Sequence, residues 1–276
     1  MRRITGLFFI GILLITLSSC KEEEVIPADA EVKLTIYNAF MEKTYQDAID
    51  MCIEAFYNPK NKITYKKSND LLSGCATITK DTTGVRDTTV IDFGENNCNC
   101  DDFSSRRGKV ILISDGNDIL AANSVFNIMF KVYWIKGNYI TGLVEVKSNG
   151  LDSTNSLILD IKITEGRMEM LESKTTMRFT AEKQRRWVSG YNSPTNHLDD
   201  LYYITGETKG NGFRTKIDTP LKRAFCSDRK NSQFLSGIMY VFINNLDTRF
   251  INFGGGECDS KATVHIQIIG YNVPIY

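Results

Sequence analysis

Two cysteines stand one residue apart in Cys98-Asn99-Cys100, at the end of the string Ile91-Asp-Phe-Gly-Glu-Asn-Asn-Cys-Asn-Cys. Such a pair could clasp a metal, cycle between thiol and disulfide, or staple the chain. A tetrahedral zinc site needs four ligands, and Cys-x-Cys supplies two, with no Cys-x-x-Cys and no paired histidines elsewhere in the sequence. A redox centre wants Cys-x-x-Cys at a helix start, which lowers the thiol pKa, and Asp101 and Asp102 beside the pair disfavour a thiolate. The staple is the expected role, and no metal or cofactor is expected.

The chain has two histidines. His197 stands in Ser-Pro-Thr-Asn-His-Leu-Asp-Asp with Asp199 and Asp200. A carboxylate beside an imidazole could orient a general base, and the acids could offer oxygens to calcium. A polar turn collects the same residue types, and that is the expectation. His197, Asp199 and Asp200 form the alternative site, which would serve a carbohydrate-active hydrolase on a β-scaffold. No serine-hydrolase elbow, zincin motif, phosphate loop or dinucleotide fingerprint occurs. An enzyme is therefore the less favoured reading. His265 alternates with Val264 and Ile266, which places it on the solvent side of a strand. Trp134 and Trp187 could stack on sugar rings if exposed, but aromatics of this kind are expected in the sheet core.

The elements that hold these residues are mostly strands. Tyr37, Met41, Tyr45, Ala48, Cys52 and Phe56 recur at spacings of four and three, one face of a helix over 34–58. Glu42, Lys43, Gln46, Asp47, Asp50 and Glu54 take its other side, and Asn58-Pro59 ends it. Beyond it, Leu157, Leu159, Ile161 and Ile163 alternate with polar neighbours, as do Met177, Phe179 and Ala181, and Val264, Ile266 and Ile268. Glu165-Gly166 and other glycine pairs read as turns. The fold class is all-β with one N-terminal helix, in duplicated antiparallel sheet or sandwich-like modules. Leu72 to Gly94 is echoed by Leu235 to Gly254, and Tyr139-Ile-Thr-Gly by Tyr203-Ile-Thr-Gly, which divides the chain into a β-module over 60–165 and a second over 166–276.

Charge excludes one class of partner. Lysine plus arginine and aspartate plus glutamate are equal at 33 each, so nothing favours nucleic acid.

The first residues carry an address. Arg2 and Arg3 precede an apolar run from Ile4 to Leu17 and the small-residue string Leu17-Ser-Ser-Cys20. This resembles a bacterial lipoprotein signal, too short to span a membrane comfortably. The resemblance implies cleavage after residue 19 and a lipid on Cys20. Residues 20–33 would be a tether, and its Cys20-Lys-Glu-Glu-Glu resembles the acidic export tag of Bacteroidetes surface lipoproteins. An outer-membrane location, lipid-anchored and facing the exterior, is the implication. Leu-Ser-Gly, Ile-Asp-Phe-Gly with a nearby cysteine, Arg106-Arg-Gly-Lys109 and Tyr-Ile-Thr-Gly together resemble a group of uncharacterised lipoproteins of the same bacteria. That group carries no assigned activity, so only location and architecture follow. A non-enzymatic binding or structural module, with a glycan or protein as ligand, is the expectation.

Exported chains keep disulfides. Six cysteines remain after Cys20. The repeat pairs Cys226 with Cys258. Cys75 takes Cys98 or Cys100, Cys98 being the expected choice, which leaves Cys100 to Cys52 on the helix.

Overall fold

The helix is real, but it has no solvent face. The computed structural model of the chain describes residues 31–58, 62–64, 72, 76–227 and 231–275. Helix α1 covers Lys33–Tyr57, and from Asn38 to Ala55 every residue is buried. The polar side expected to lie in water is therefore enclosed as fully as the apolar one. Asn58 caps it in an extended conformation, as the following proline requires.

What encloses it is one antiparallel sheet. Its strands are β1 (Lys62–Thr64), β2 (Thr77–Asp81), β3 (Asp87–Asp92), β4 (Cys98–Asn99) and β5 (Ser105–Ser114). Then come β6 (Val125–Ile135), β7 (Asn138–Leu151), β8 (Leu157–Met170), β9 (Thr175–Ser189) and β10 (Leu201–Gly210). β11 (Phe213–Cys226), β12 (Asn231–Ile243), β13 (Arg249–Gly255), β14 (Lys261–Ile266) and β15 (Ile269–Pro274) complete it. Neighbours in sequence are neighbours in the sheet, except that β3 pairs with β5 and the short β4 pairs with β5 at its side. Among the described residues the chain thus adopts the all-β class with a single α-helix, at their N-terminal end. The two echoing halves share this one sheet, and β8 runs straight across the expected boundary at residue 165.

The sheet must curl. Helix α1 touches both β3 and β13, which lie nine strand spacings apart and would be roughly 43 Å apart in a flat sheet. A helix with its side chains is only about 10–12 Å across. Curvature comes from bulges at Gly108, Gly142, Gly206 and Gly237, all with positive φ. At Gly206 a Cβ would stand 2.2 Å from the Glu182 carbonyl oxygen, so only glycine fits the bend. Glu165-Gly166, expected as a turn, is another bulge inside β8.

Both ends of the helix are tied to the sheet. Lys80 of β2 donates to the carbonyl of Asn58 at 2.7 Å, at the C-terminal end where a cation also suits the helix dipole. Arg249 of β13 donates to the Glu31 carbonyl at 2.7 Å. Between them Tyr45 lies edge-on to Phe130 and Phe179, and its hydroxyl donates to the Thr141 carbonyl. One apolar cluster joins Ile49 and Ile53 to Ile78, Val110 and Leu159. A second joins Ala39 to Met239, Ile251 and Val264.

The sequence echo is a structural echo. Leu72 to Gly94 contains the β2–β3 hairpin, and Leu235 to Gly254 covers most of the β12–β13 hairpin. Each ends in the same corner: the Asp92 side chain accepts from the Gly94 N–H at 2.8 Å, and the Asn252 side chain accepts from the Gly254 N–H at 3.0 Å. Both glycines have positive φ, and Phe93 and Phe253 both point into the core.

Candidate functional site

The interior holds the densest chemistry. Strand alternation carries the apolar inward row of Met177, Phe179 and Ala181 on β9 into Lys183, Arg185 and Trp187. On α1, Glu42, Asp47, Asp50 and Glu54 face this basic row and its extension on β11. Lys183 meets Glu42 at 2.9 Å, Arg185 meets Asp50 at 2.6 Å, and Arg223 bridges Asp47 at 2.6 Å and Asp50. Lys43 closes the group on Asp47 at 2.6 Å. Burial pushes the Asp50 carboxyl up, but the charges of Arg185, Arg223 and His197 outweigh it and hold the group below the usual carboxylate range. On β5, Arg106 grips Asp102 with both terminal nitrogens, 2.7 and 2.5 Å.

These are ion pairs made for position. Withdrawing two charges from water costs several kcal/mol per ion and is recovered only where pairing and hydrogen bonding are complete. The apolar side of α1 fixes its depth against the sheet, and the charged side fixes its rotation and register.

His197 sits at the C-terminal end of this layer. It opens a single 3-10 turn, His197–Asp199, and is 2% exposed. Its Nδ1 lies 2.8 Å from Asp200 and its Nε2 3.0 Å from Glu54. Asp200 also accepts from the Trp187 indole at 3.0 Å and the Tyr202 hydroxyl at 2.7 Å. Burial would lower the imidazole pKa, but the hydrogen bonds and charges of Asp200 and Glu54 raise it to about 10. At neutral pH both ring nitrogens donate, so no lone pair remains for a general base. Asp199 turns outward, accepting from Ser193 at 2.7 Å and Asn196 at 3.1 Å. The structure therefore brings together His197 and Asp200 with Glu54, leaves Asp199 out, and closes the group from solvent. The polar turn expected for His197 is a buried ionic latch, and Glu54 was the partner missing from the sequence reading.

Cysteine placement follows one expectation and departs from another. Cys226 and Cys258 form the expected disulfide, with Cα atoms 5.7 Å apart. Cys98 is disulfide-bonded, while Cys75, its expected partner, lies outside the described residues, as does Cys20. Cys52 and Cys100 do not form the bridge expected of them: both are free thiols, buried. Cys52 packs as an apolar side chain in the first cluster, and burial pushes its thiol pKa up. Cys100 directs its thiol at the Cys98 carbonyl, 3.8 Å away.

The outward face of the sheet carries a different array. Tyr240, Phe250 and His265 stand in register on β12, β13 and β14, with Lys216 of β11 beside them. Phe250 and His265 stack at 4.5 Å with planes 10° apart, and Tyr240 tilts 49° to Phe250. Phe242 continues the group under the Arg214 guanidinium, 4.6 Å away. In the next register row Asn252, Thr263 and Asn272 are polar, with Ile238 of β12 opposite Asn252. A second group sits on β5–β7, where Arg107 covers Trp134 at 4.4 Å and Trp134 leans on Tyr139 at 5.1 Å. Beside it is a surface cleft of about 430 Å³ walled by Asp92, Glu95, Arg107, Lys109 and Lys131. His265 is outward as expected and Trp187 is buried as expected, whereas Trp134 is half-buried on the outer face.

No family model, curated protein or solved structure matches the chain. Among the described residues no three or more His, Cys, Asp or Glu side chains are arranged so that they could hold a metal ion.

Proposed function

We propose that this protein is a lipid-anchored component of the outer membrane, held through Cys20 and facing the exterior, that works as a non-enzymatic binding module. The ligand is a glycan, and the outer ring row of β12–β14 is its landing surface. The observation that carries this reading is the division of chemistry between the two faces of the sheet. Inside, the acids and His197 fix the helix. Outside, Tyr240, Phe250 and His265 stand upright beside Asn252, Thr263 and Asn272, so that a sugar can rest its C–H groups against the edges of the stacked rings while its hydroxyls reach amides and a hydroxyl. Arg214 and Lys216 border the row and suit acidic sugars. The outward positions of β9, among them Arg178, Glu182, Gln184 and Arg186, suit water and oppose a lipid-facing barrel wall.

A glycan array followed by calorimetric titration tests the ligand. Binding by the wild type that falls at least tenfold in Phe250→Ala, with the melting temperature little changed, is the expected result. Equal binding by the variant, or none to any glycan by the wild type, overturns it. Mass spectrometry of the mature protein and protease shaving of intact cells test the anchor on Cys20 and its exterior placement separately.

A further inference from the structure

The corner shared by the two echoing hairpins also aligns the strands that follow it. Pairing carries Asp92 of β3 across to Lys109 of β5 and on to Lys131 of β6. In the echo it carries Asn252 of β13 to Thr263 of β14 and on to Asn272 of β15. The two rows hold the same register position beside the same corner, and one is neutral where the other is charged. The charged row lines the outer cleft of about 430 Å³, a volume within the range of small-ligand pockets, roughly 300–1,000 Å³.

The charges of this cleft are not settled by the protein itself. Asp92 takes Lys109 at 2.7 Å. Lys131 has no acidic partner among the described residues and stands directly opposite Lys109. Like charges so placed cost a strand pair stability unless an anion comes between them. Arg107 lies over the Trp134 ring at 4.4 Å and is likewise without a carboxylate partner among the described residues. A guanidinium laid flat on a ring keeps its N–H edge for an oxyanion. Glu95, exposed on the turn after the corner, also lines the cleft, and so does Val132, 62% exposed. Val132 has a φ of +50°, which a β-branched residue rarely adopts.

We propose that this cleft binds a phosphorylated sugar, with its phosphomonoester at Arg107, Lys109 and Lys131, its C–H groups on Val132 and a hydroxyl on Glu95. A phosphomonoester brings a charge of about −1.5 to −2 and three acceptor oxygens. Three cationic groups meet them, because Lys109 keeps N–H groups beyond the one that Asp92 takes. A carboxylate offers fewer oxygens and less charge, and a neutral sugar leaves the two lysines repelling each other. The sugar half of the proposal rests on the glycan reading of the equivalent neutral row, whereas the phosphate half rests on the charges of the cleft alone.

The test is calorimetric titration of the full chain with glucose 6-phosphate, inorganic phosphate, glucuronate and glucose. Glucose 6-phosphate should bind at least tenfold tighter than glucuronate and at least threefold tighter than inorganic phosphate, with glucose silent. Lys131→Gln should weaken glucose 6-phosphate at least fivefold while the melting temperature holds or rises, since the substitution relieves the lysine pair. Asp92→Asn keeps an acceptor for the Gly94 N–H, as Asn252 does for Gly254, and releases Lys109, so it should tighten binding. No binding of glucose 6-phosphate, equal binding of glucuronate, or unaltered binding by Lys131→Gln overturns the proposal. Inorganic phosphate as tight as the sugar phosphate overturns its sugar half. Phe250→Ala should bind glucose 6-phosphate as the wild type does, so a failure of the ring row as a glycan surface would leave the phosphate result standing.

Discussion

Arg185 and Arg186 are adjacent on β9 and point to opposite faces of the same strand. Arg185 is fully buried: it binds Asp50 at 2.6 Å, donates to Gln46 at 3.1 Å and lies 4.2 Å over the Tyr202 ring. The Arg186 side chain is 41% exposed, 3.2 Å from Asp152, with Thr154 beside it. The same side chain thus lives under two dielectric regimes a single residue apart. Inside, its field is strong and its solvation is gone, so the partner is obligatory. Outside, water screens the pair and the partner is optional.

The largest effect should come from breaking the inner side. Asp50→Ala leaves Arg185 and Arg223 facing each other without their shared carboxylate, and urea unfolding should show a loss of about 3–5 kcal/mol or no folded protein. A loss below about 1 kcal/mol would mean that the inner pairs are no more demanding than surface ones. Next comes the clasp of the C-terminal hairpins. Cys226→Ser opens a loop with a sequence separation of 32, for an expected loss of roughly 3–4 kcal/mol in the chain-entropy description. Unchanged melts of oxidised wild type and variant would place the stability of these hairpins in packing alone.

Protonation tests the same contrast without truncating a side chain. The folded pKa of His197, about 10, exceeds the unfolded value near 6.5. Its contribution is fully present below pH about 6.5 and is lost as pH rises through about 10. Asp50 and Asp102 have the opposite sign: both are lowered in the folded state, so their contribution is present above the ordinary carboxylate pKa and is lost as pH falls through their folded values. Melting temperature against pH should therefore plateau near neutrality and fall on both sides. His197→Gln should flatten the alkaline limb, and an unaltered limb would remove His197 from it. The smallest effect is expected outside. Arg186→Ala should change stability by about 0–1 kcal/mol, and a loss as large as that of Asp50→Ala would erase the distinction between the faces.

Much of the sheet was legible because one of its faces is apolar. Leu157, Leu159, Ile161 and Ile163 announce their burial by alternation alone, and the structure buries all four. The corner Ile-Asp/Asn-Phe-Gly was legible because a side-chain acceptor two residues before a positive-φ glycine is local chemistry. The helix was half legible. Its apolar spacing gave its place, but Asp47, Asp50 and Glu54 also imply solvent unless a basic surface awaits them. That surface was written in the continuation of Phe179 and Ala181 into Lys183 and Arg185, where the period of two persists after hydrophobicity stops. Cys52 and Cys100 were misread for a related reason. Counting thiols yields pairs, but a buried thiol can be satisfied by apolar packing, as at Cys52, or by a nearby carbonyl, as at Cys100, and only the three-dimensional fold decides whether their Cβ atoms face one another. Trp134 was misread because residue type does not say which face of a strand carries it.

The buried helix also sets a timetable. Asp50 precedes Arg185 by 135 residues and Arg223 by 173, so the element at the centre of the protein is synthesised long before its ionic partners exist. Contacts of such span form late and close slowly. During the wait, the carboxylates and lysine that will finally be buried keep one flank of the helix hydrated, and a chain that would otherwise offer bare hydrocarbon to its neighbours instead offers charge. The side of α1 that costs the folded state its desolvation is the side that protects the nascent one from aggregation.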